Sequence, residues 1–348
     1  MPLVPLLVEF LLALSCSGGW LWFARRRGWF DLPNQRSSHT QPTPKSGGAG
    51  IAVAYTVFMG YCYASGQLGW PLLCLMLLGL GPAITGFIDD LRNLGVASRI
   101  GMQVLATGLA LVLLHPLSEL RLPGGLAVPG LWLTPLVLLS YIWLINLFNF
   151  MDGIDGLAAM EAIFTSLALA LFASVLGDDV ILLASLGLAV AVSGFLYFNL
   201  APARLFMGDL GSHYLGYVLG ALGLFAVQRE LINYWTLGIL FGVFVVDATT
   251  TLVGRICSGA LWYHAHSSHA YQRAARQLRS HAKVVVAGAL INGGWLLPLA
   301  WLSIGHEQSG LLIMLLAWSP LGIIVATLRL GIGFSPTLPG AKSPPSAG

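Results

Sequence analysis

Charged side chains are scarce in this sequence, and their scarcity excludes most soluble proteins. Asp, Glu, Lys and Arg make up only 9% of the 348 residues, while 57% are hydrophobic. A soluble domain carries about 25% charged residues. Together with a mean hydropathy of +0.80, this composition predicts an all-α, polytopic integral membrane helix bundle.

Cysteine is also rare. The four cysteines lie in or beside apolar segments and show no paired spacing: Cys16, Cys62, Cys74 and Cys257. Free cysteines in such surroundings act as small apolar core residues. We therefore predict neither disulfide bonds nor a cysteine-bound zinc ion.

What the sequence has instead is a series of apolar segments of about 20 residues, each long enough to cross a bilayer. We predict about eleven transmembrane helices, and a count of ten also fits. They begin near Leu3, Gly50, Trp70, Ile100, Leu131, Leu157, Val180, Gly211, Leu231, Ala282 and Leu311. Residues 1–330 form one membrane-embedded domain, and the Pro-, Gly- and Ser-rich residues 331–348 are expected to be a disordered tail.

The Lys and Arg residues predict the orientation. If the N-terminus lies outside and the helices alternate, all 17 of these residues except Arg121 and Arg229 fall on the inner side. Cytoplasmic loops carry such an excess, so the C-terminus is predicted to be cytoplasmic. The net charge of +3 is then a signal of topology, and we expect no nucleic-acid partner.

The stretch FNFMDGIDGLA carries polar side chains between two apolar segments. If it is helical, Asn146, Asn149, Asp152 and Asp155 recur every third residue and share one face. The alternative is a plain turn, because Asp-Gly pairs are common in turns. Polar groups that enter a membrane are costly and usually functional, so we favour a polar site.

The other inner-side acids strengthen that interpretation. Asp89-Asp90 ends the third apolar segment, and Asp209 precedes the eighth within a Gly-rich stretch. Carboxylates without thiolates suit Mg²⁺ or Mn²⁺ and a phosphate substrate. The inner loops supply candidate phosphate-binding groups, among them Lys45, Arg99, His266, His269 and Arg273. A histidine-bound zinc ion stays an alternative, and Asp247 either reaches the site or forms a structural hydrogen bond.

Four motifs in order resemble the polyprenyl-phosphate N-acetylhexosamine-1-phosphate transferases (glycosyltransferase family 4): GFIDDLRN, NLFNFMDGIDGLA, FNLAPARLFMGDLGS and HAHSSHAYQR. The resemblance implies transfer of a sugar-1-phosphate from a UDP-sugar to undecaprenyl phosphate, with Mg²⁺ (or Mn²⁺) and release of UMP. It implies a bacterial inner-membrane enzyme whose active site faces the cytoplasm. Family likeness alone suggests a homodimer.

The resemblance also implies residue roles. Asp89, Asp90 and Asp209 are the expected catalytic residues, and Asp209 with Asn149 the expected metal ligands. The expected substrate-binding residues are Asn146, Asn149, Asp152, Asp155, Asn199, Phe206, His266, His269, Arg273 and Lys45. The paired acids either keep the lipid phosphate deprotonated for direct attack or form a covalent aspartyl intermediate first.

Differences from the family point to a branch. HAHSSH lacks the adjacent histidines of the muramyl-pentapeptide transferases, and Arg92 stands where they carry lysine. His-x-x-His-Ala-Tyr-Gln-Arg is similar to enzymes that begin O-antigen or related surface polysaccharide. The alternative function is a secondary transporter of an anionic substrate, which would hold its acids near the membrane midplane. A CDP-alcohol phosphotransferase needs an arginine soon after Asp155-Gly156, which is absent.

Overall fold

The computed structural model describes residues 3–33, 41–92, 94–259 and 269–330. Within these ranges the chain is overwhelmingly helical, as predicted. The helices are α1 Leu3–Arg27, α2 Ala49–Ala64, α3 Trp70–Leu77, α4 Leu80–Arg92, α5 Val96–Leu113, α6 Gly130–Met151, α7 Leu157–Leu176, α8 Asp179–Asn199, α9 Gly208–Gln228, α10 Tyr234–Leu240, α11 Gly242–Cys257, α12 Ala270–Leu278, α13 His281–Ile291, α14 Leu297–Gly305 and α15 Gly310–Leu330. A π-helical turn, Asn292–Leu296, joins α13 to α14, and a 3₁₀ turn, Glu307–Ser309, precedes α15.

Every predicted apolar segment is helical in this structure. In the described part of the chain, nine helical segments are long and apolar enough to cross a membrane, and the pair α10–α11, bent by 79°, makes a tenth if counted as one span. The remaining segment, α2, has only 16 residues, so at 1.5 Å per residue it falls short of a bilayer of about 30 Å. The prediction of a polytopic all-α membrane bundle is confirmed.

Extended structure in the described ranges is limited to two short antiparallel pairs. Strand β1 (Phe30–Asp31) pairs with β2 (Thr43–Pro44), and β3 (Leu120–Arg121) pairs with β4 (Ala127–Val128). The first pair lies at the end of α1 and leads into the loop before α2. It brings Lys45 and its neighbours back onto the bundle.

Helix α9 is the centre of the bundle and is almost entirely buried. Its glycines allow this: a Cβ at Gly216 would collide with the backbone of Ile145 on α6. On α4, a Cβ at Gly86 would likewise collide with the backbone of Asp209. Small residues let membrane helices approach this closely, and the contact brings the end of α4 against the start of α9.

The bundle has two chemically different ends. One end, called here the aspartate end, contains Asp89, Asp90, Asp152, Asp155 and Asp209. At the opposite end, Arg229 pairs with Asp178, and Arg121 pairs with Glu119. The two arginines that the orientation argument set apart from the others therefore both lie opposite the aspartate end.

Candidate functional site

The aspartate end is assembled from the ends of three helices and from the turn that precedes α7. Asp89 and Asp90 lie in the last turn of α4, Asn149 in the last turn of α6, and Asp209 in the first turn of α9. The predicted helical row stops early, because α6 ends at Met151 and Asp152 caps it. Gly156 then takes a left-handed conformation, with φ of 80°. Of the two alternatives, the helix therefore holds only as far as Met151, and Asp155 lies in the turn before α7.

Asp209 is held between an amide and a guanidinium group. The Asn149 side-chain NH₂ donates to Asp209 Oδ1 at 2.8 Å and to Ser212 Oγ at 3.1 Å. Arg99 Nη1 lies 3.6 Å from Asp209 Oδ2. The carboxyl group of Asp209 also contacts that of Asp89, so two acids and one arginine meet at one point.

The two acids of the Asp89-Asp90 pair have different partners. Asp89 has both oxygens engaged, because the Leu94 amide donates to Oδ1 and Arg99 Nη1 donates to Oδ2 at 2.7 Å. On Asp90, the Ser46 hydroxyl donates to Oδ2 at 2.7 Å and the Leu210 amide donates to the same oxygen at 3.4 Å. Oδ1 of Asp90 is turned toward Lys45, whose Nζ is 3.7 Å away.

A loop on each side supports these acids. The Phe206 amide donates to the Pro44 carbonyl, and the Gly47 amide donates to the Phe206 carbonyl, both at 2.8 Å. The indole N–H of Trp20 donates to the Lys45 carbonyl at 2.8 Å. These bonds join Lys45 and Phe206, two predicted substrate-binding residues, to the same wall of the site.

Asp152 and Asp155 have unlike surroundings. Burial, followed by the neighbouring carboxylates of Asp209, Asp90 and Asp155, raises the pKa of Asp152 well above its ordinary 3.8. Asp155 Oδ2 instead accepts a bond from the Ala203 amide at 3.1 Å and lies 3.2 Å from His281 Nδ1. Asp152 thus joins the acid cluster, while Asp155 forms part of its margin.

A pocket with charged residues in its lining opens beside Asp155. It has a volume of about 520 Å³ and is lined by Asp155, Ala201, Pro202, the start of α13 and the arginines Arg276 and Arg279 of the α12 end. Its basic lining suits an anionic group.

Two of the predicted asparagines have internal partners. Asn199 is 3% exposed; its amide oxygen accepts from the Gly156 amide at 3.0 Å, and its NH₂ donates to the Leu205 carbonyl at 3.0 Å. The Asn146 NH₂ donates to Gln103 Oε1 at 2.7 Å. Asn199 therefore joins the turn at Gly156 to the loop at Leu205. Asn146 bonds to Gln103 instead of to an acid of the cluster.

The histidine segment is only partly described. His266 lies outside the described residues, whereas His269 is buried at the start of α12, with Nδ1 3.5 Å from Asp247 Oδ1. Asp247 also accepts bonds from the Ala270 and Tyr271 amides, each at 2.9 Å. Of the two roles open for Asp247, the structure shows the structural one: it caps α12, the helix that carries Arg273.

The sequence did not predict the contacts of several residues that complete the site. Arg99 was a candidate phosphate-binding group, but its position between Asp89 and Asp209 depends on the packing of α5 against α4. Ser46 and His281 carried no motif at all. Only the tertiary structure brings them to Asp90 and Asp155.

The fit of a divalent cation depends on the donor chemistry. Within the described ranges, no three His, Cys, Asp or Glu side chains are grouped as a ready metal site. Mg²⁺, however, usually takes only one or two carboxylates and completes its shell with water and substrate phosphates. Asp209, 29% exposed at its side chain, with Asn149 beside it, fits that kind of site.

An apolar cavity lies deeper, along the bent pair α10–α11. Its volume is about 320 Å³, and its lining comes from α6, α9, α10, α11 and α15, including Leu136, Tyr141, Leu237, Phe241 and Trp318. An elongated hydrocarbon chain is the chemical match for such a lining.

Comparison with known proteins identifies the class. The family model for glycosyl transferase family 4 matches residues 72–227. The phospho-N-acetylmuramoyl-pentapeptide-transferase of Desulforamulus reducens is 33% identical over 241 residues, covering 61% of this chain and 67% of that protein. The chain belongs to the polyprenyl-phosphate hexosamine-1-phosphate transferase family.

Two further relatives show how the similarity is distributed. The phospho-N-acetylmuramoyl-pentapeptide-transferase of Halalkalibacterium halodurans is 29% identical over 269 residues, 72% of this chain and 81% of that protein. The decaprenyl-phosphate N-acetylglucosaminephosphotransferase of Mycolicibacterium smegmatis is 35% identical over 227 residues, but covers only 58% of this chain and 55% of that protein. The identification as a multi-pass membrane enzyme that transfers a sugar phosphate agrees with the helix bundle.

Proposed function

We propose that this protein transfers an N-acetylhexosamine-1-phosphate from a UDP-sugar to undecaprenyl phosphate and releases UMP. The reaction takes place at the cytoplasmic face of the bacterial inner membrane and begins O-antigen or a related surface polysaccharide. The observation that carries the proposal is the joining of Asp89, Asp90 and Asp209 with Arg99 and Lys45 at one end of an apolar bundle. Such a site handles phosphate at the membrane edge.

The two substrates have matching surroundings. The apolar cavity along the bent helix pair suits the prenyl chain, and its phosphate would lie at the aspartate end. The UDP-sugar would lie between Phe206, whose ring can stack on uracil, and Asp152 and Asp155, beside the basic pocket of α12 and α13. Arg273 of α12 would contact phosphate groups, while His269, whose ring is buried against Asp247, would hold the start of that helix in place.

The reaction we favour is direct attack. An oxygen of the lipid phosphate forms a bond to the β-phosphorus of the UDP-sugar, and the bond from that phosphorus to the oxygen of UMP breaks. Asp90 accepts the proton of the lipid phosphate, because its Oδ1 faces Lys45, whereas both oxygens of Asp89 are already bonded. Lys45 holds the phosphate by charge. Phosphoryl transfer depends mainly on such positioning and electrostatics.

A divalent cation completes the proposed chemistry. Mg²⁺, held by Asp209 with Asn149, would neutralise negative charge on the diphosphate. Arg99 keeps Asp89 and Asp209 oriented, and Asn149 fixes the rotamer of Asp209 through its hydrogen bond. These are the contributions of this chain's own side chains.

The branch of the family follows from the sequence of the histidine segment. His-x-x-His-Ala-Tyr-Gln-Arg and Arg92 favour an enzyme of surface polysaccharide synthesis over a muramyl-pentapeptide transferase. The donor would then be UDP-N-acetyl-fucosamine, -quinovosamine, -glucosamine or a close relative.

The test uses the purified full chain in detergent with undecaprenyl phosphate, Mg²⁺ and a panel of these donors, together with UDP-N-acetylmuramoyl-pentapeptide. UMP release is measured, with Asp209→Ala and a chelator alongside. Release that needs lipid, metal and Asp209 is expected, with an N-acetylhexosamine donor preferred. No lipid-dependent UMP from folded protein would refute the reaction, and preference for the pentapeptide donor would refute the branch.

A further inference from the structure

Ser46 has a backbone conformation that serine rarely adopts. Its φ is 66°, in the left-handed region, and the residue is 2% exposed. A non-glycine residue there pays a steric cost that the surrounding structure must offset. Glycine would avoid the cost, and two glycines, Gly47 and Gly48, follow directly. The presence of a side chain at this position therefore calls for a physical reason.

The neighbours of Ser46 hold it firmly in this conformation. Gly208, which is also left-handed with φ of 74°, packs so closely that a Cβ on it would meet the Ser46 backbone and Asp90 Oδ2. The following residues are bonded to the same segment, since the Gly48 amide donates to the Met207 carbonyl at 3.0 Å. The loop is thus tied to the start of α9 by its backbone.

The side chain of Ser46 has one polar contact of consequence, which is the 2.7 Å hydrogen bond from its hydroxyl to Asp90 Oδ2. The Leu210 amide approaches the same oxygen at 3.4 Å. Two donors on Oδ2 fix the rotation of the carboxylate, and Oδ1 is then turned toward Lys45. The Asp209 amide also bonds to this carboxyl group. Without the hydroxyl, the shortest side-chain bond to Oδ2 is lost, and only the two backbone amides and Lys45 hold the carboxylate in this orientation.

We propose that Ser46 is a positioning residue, which orients Asp90 so that Oδ1 faces the lipid phosphate. The inference rests on the proposed function, because it gives Asp90 the role of proton acceptor there. The hydroxyl bond to Asp90 then explains why a serine, and not a glycine, occupies this strained backbone position. Supporting residues of this kind change activity by roughly 10–100-fold when removed.

The test compares Ser46→Ala with Ser46→Gly. Both variants lack the hydroxyl, but only glycine relieves the left-handed strain. We expect kcat to fall by about 10–100-fold in both, with KM for the UDP-sugar nearly unchanged, while Ser46→Gly unfolds at a higher temperature than Ser46→Ala. A fall in kcat for alanine alone would make the backbone conformation the cause and overturn the proposal. An unchanged kcat in both variants, or a change only in KM for the UDP-sugar, would also overturn the proposal.

A second measurement separates this inference from the proposed function. Thermal unfolding of Ser46→Ala, Asp90→Ala and the double variant gives the coupling between the two side chains without any turnover. We expect the Ser46 substitution to lower the melting temperature in the wild-type background and to have little effect once Asp90 is alanine. Additive effects would overturn the Ser46 inference. Wild-type protein that releases no UMP would overturn the proposed function, while this cycle still decides whether the Ser46 hydroxyl is coupled to Asp90.

Discussion

Replacing Arg99 by glutamine should make the protein's stability depend strongly on divalent cations. Arg99 Nη1 is 2.7 Å from Asp89 Oδ2 and 3.6 Å from Asp209 Oδ2. The Asp89 side chain is only 10% exposed, and the two carboxyl groups touch. Arg99→Gln therefore leaves two neighbouring acids without their positive partner.

The magnitude follows from burial. Breaking a fully buried ion pair by removing one partner costs about 3–5 kcal/mol. Because the Arg99 side chain is 27% exposed, solvent screens part of this, and we expect a loss of about 2 kcal/mol without metal. The more negative site should bind Mg²⁺ more tightly by about 1 kcal/mol, or roughly fivefold. Saturating Mg²⁺ should therefore restore part of the loss.

The assay is thermal unfolding of the purified protein in detergent, followed by tryptophan fluorescence, with chelator and across a Mg²⁺ titration. Arg99→Gln should melt well below wild type in chelator and gain more from Mg²⁺ than wild type gains. Arg121→Gln is the matched control, since Arg121 forms an exposed pair with Glu119 at the opposite end and should show no Mg²⁺ effect. An equal loss with and without Mg²⁺ would refute the electrostatic reasoning.

Three other predictions test the site, the packing and the lipid cavity. Burial and nearby acids raise the pKa of Asp152, so its contribution to stability is fully present at acidic pH and is lost as pH rises through that pKa. The melting temperature of the metal-free protein should fall over the same pH range, and Asp152→Asn should make it depend less on pH. Gly86→Ala should abolish UMP release, because the added Cβ would push the Asp209 backbone away. Gly101→Ala has open space around it and should keep its activity, with a free energy of unfolding within about 1 kcal/mol of wild type. Leu136→Trp should raise KM for the lipid but leave KM for the UDP-sugar unchanged, because Leu136 lines the cavity. Leu139→Trp, on the same exposed helix surface, should leave both KM values unchanged, and equal effects of the two variants would contradict the assigned cavity.

The membrane architecture could be predicted from the sequence because it depends on one-dimensional quantities. Apolar length predicts spans, and the segments starting near Leu3 through Leu311 are all helical. Lys and Arg counts separated Arg121 and Arg229 from the rest, and the structure brings both to the end opposite the aspartates. The grouping of the aspartates at one end follows from the same alternation of helices.

The partners inside the site could not be predicted, because they depend on how helices pack. Asp247 looked equally suited to the site and to a structural bond, and only the approach of α12 to α11 decides for the cap. The helical row ends before Asp155, in the Asp-Gly segment that contains Gly153 and the left-handed Gly156. Spacing alone could not choose between a continued helix and a turn, and the Asp-Gly pairs were the signal for the turn.

Charge balance gives the strongest physical argument for a cation in this site. Among the described residues, Lys45 lies within 4 Å of Asp90, and Arg99 lies within 4 Å of Asp89 and Asp209. With Asp152, the acid cluster has four carboxyl groups against these two cations. Without metal, protons relieve part of this excess, as the raised pKa of Asp152 indicates. A diphosphate and a lipid phosphate would add further negative charge in a partly desolvated space, where repulsion is weakly screened. If both proposed substrates bind here, added positive charge would offset this repulsion, and a divalent cation would supply it with Asp209 and the phosphates as oxygen ligands.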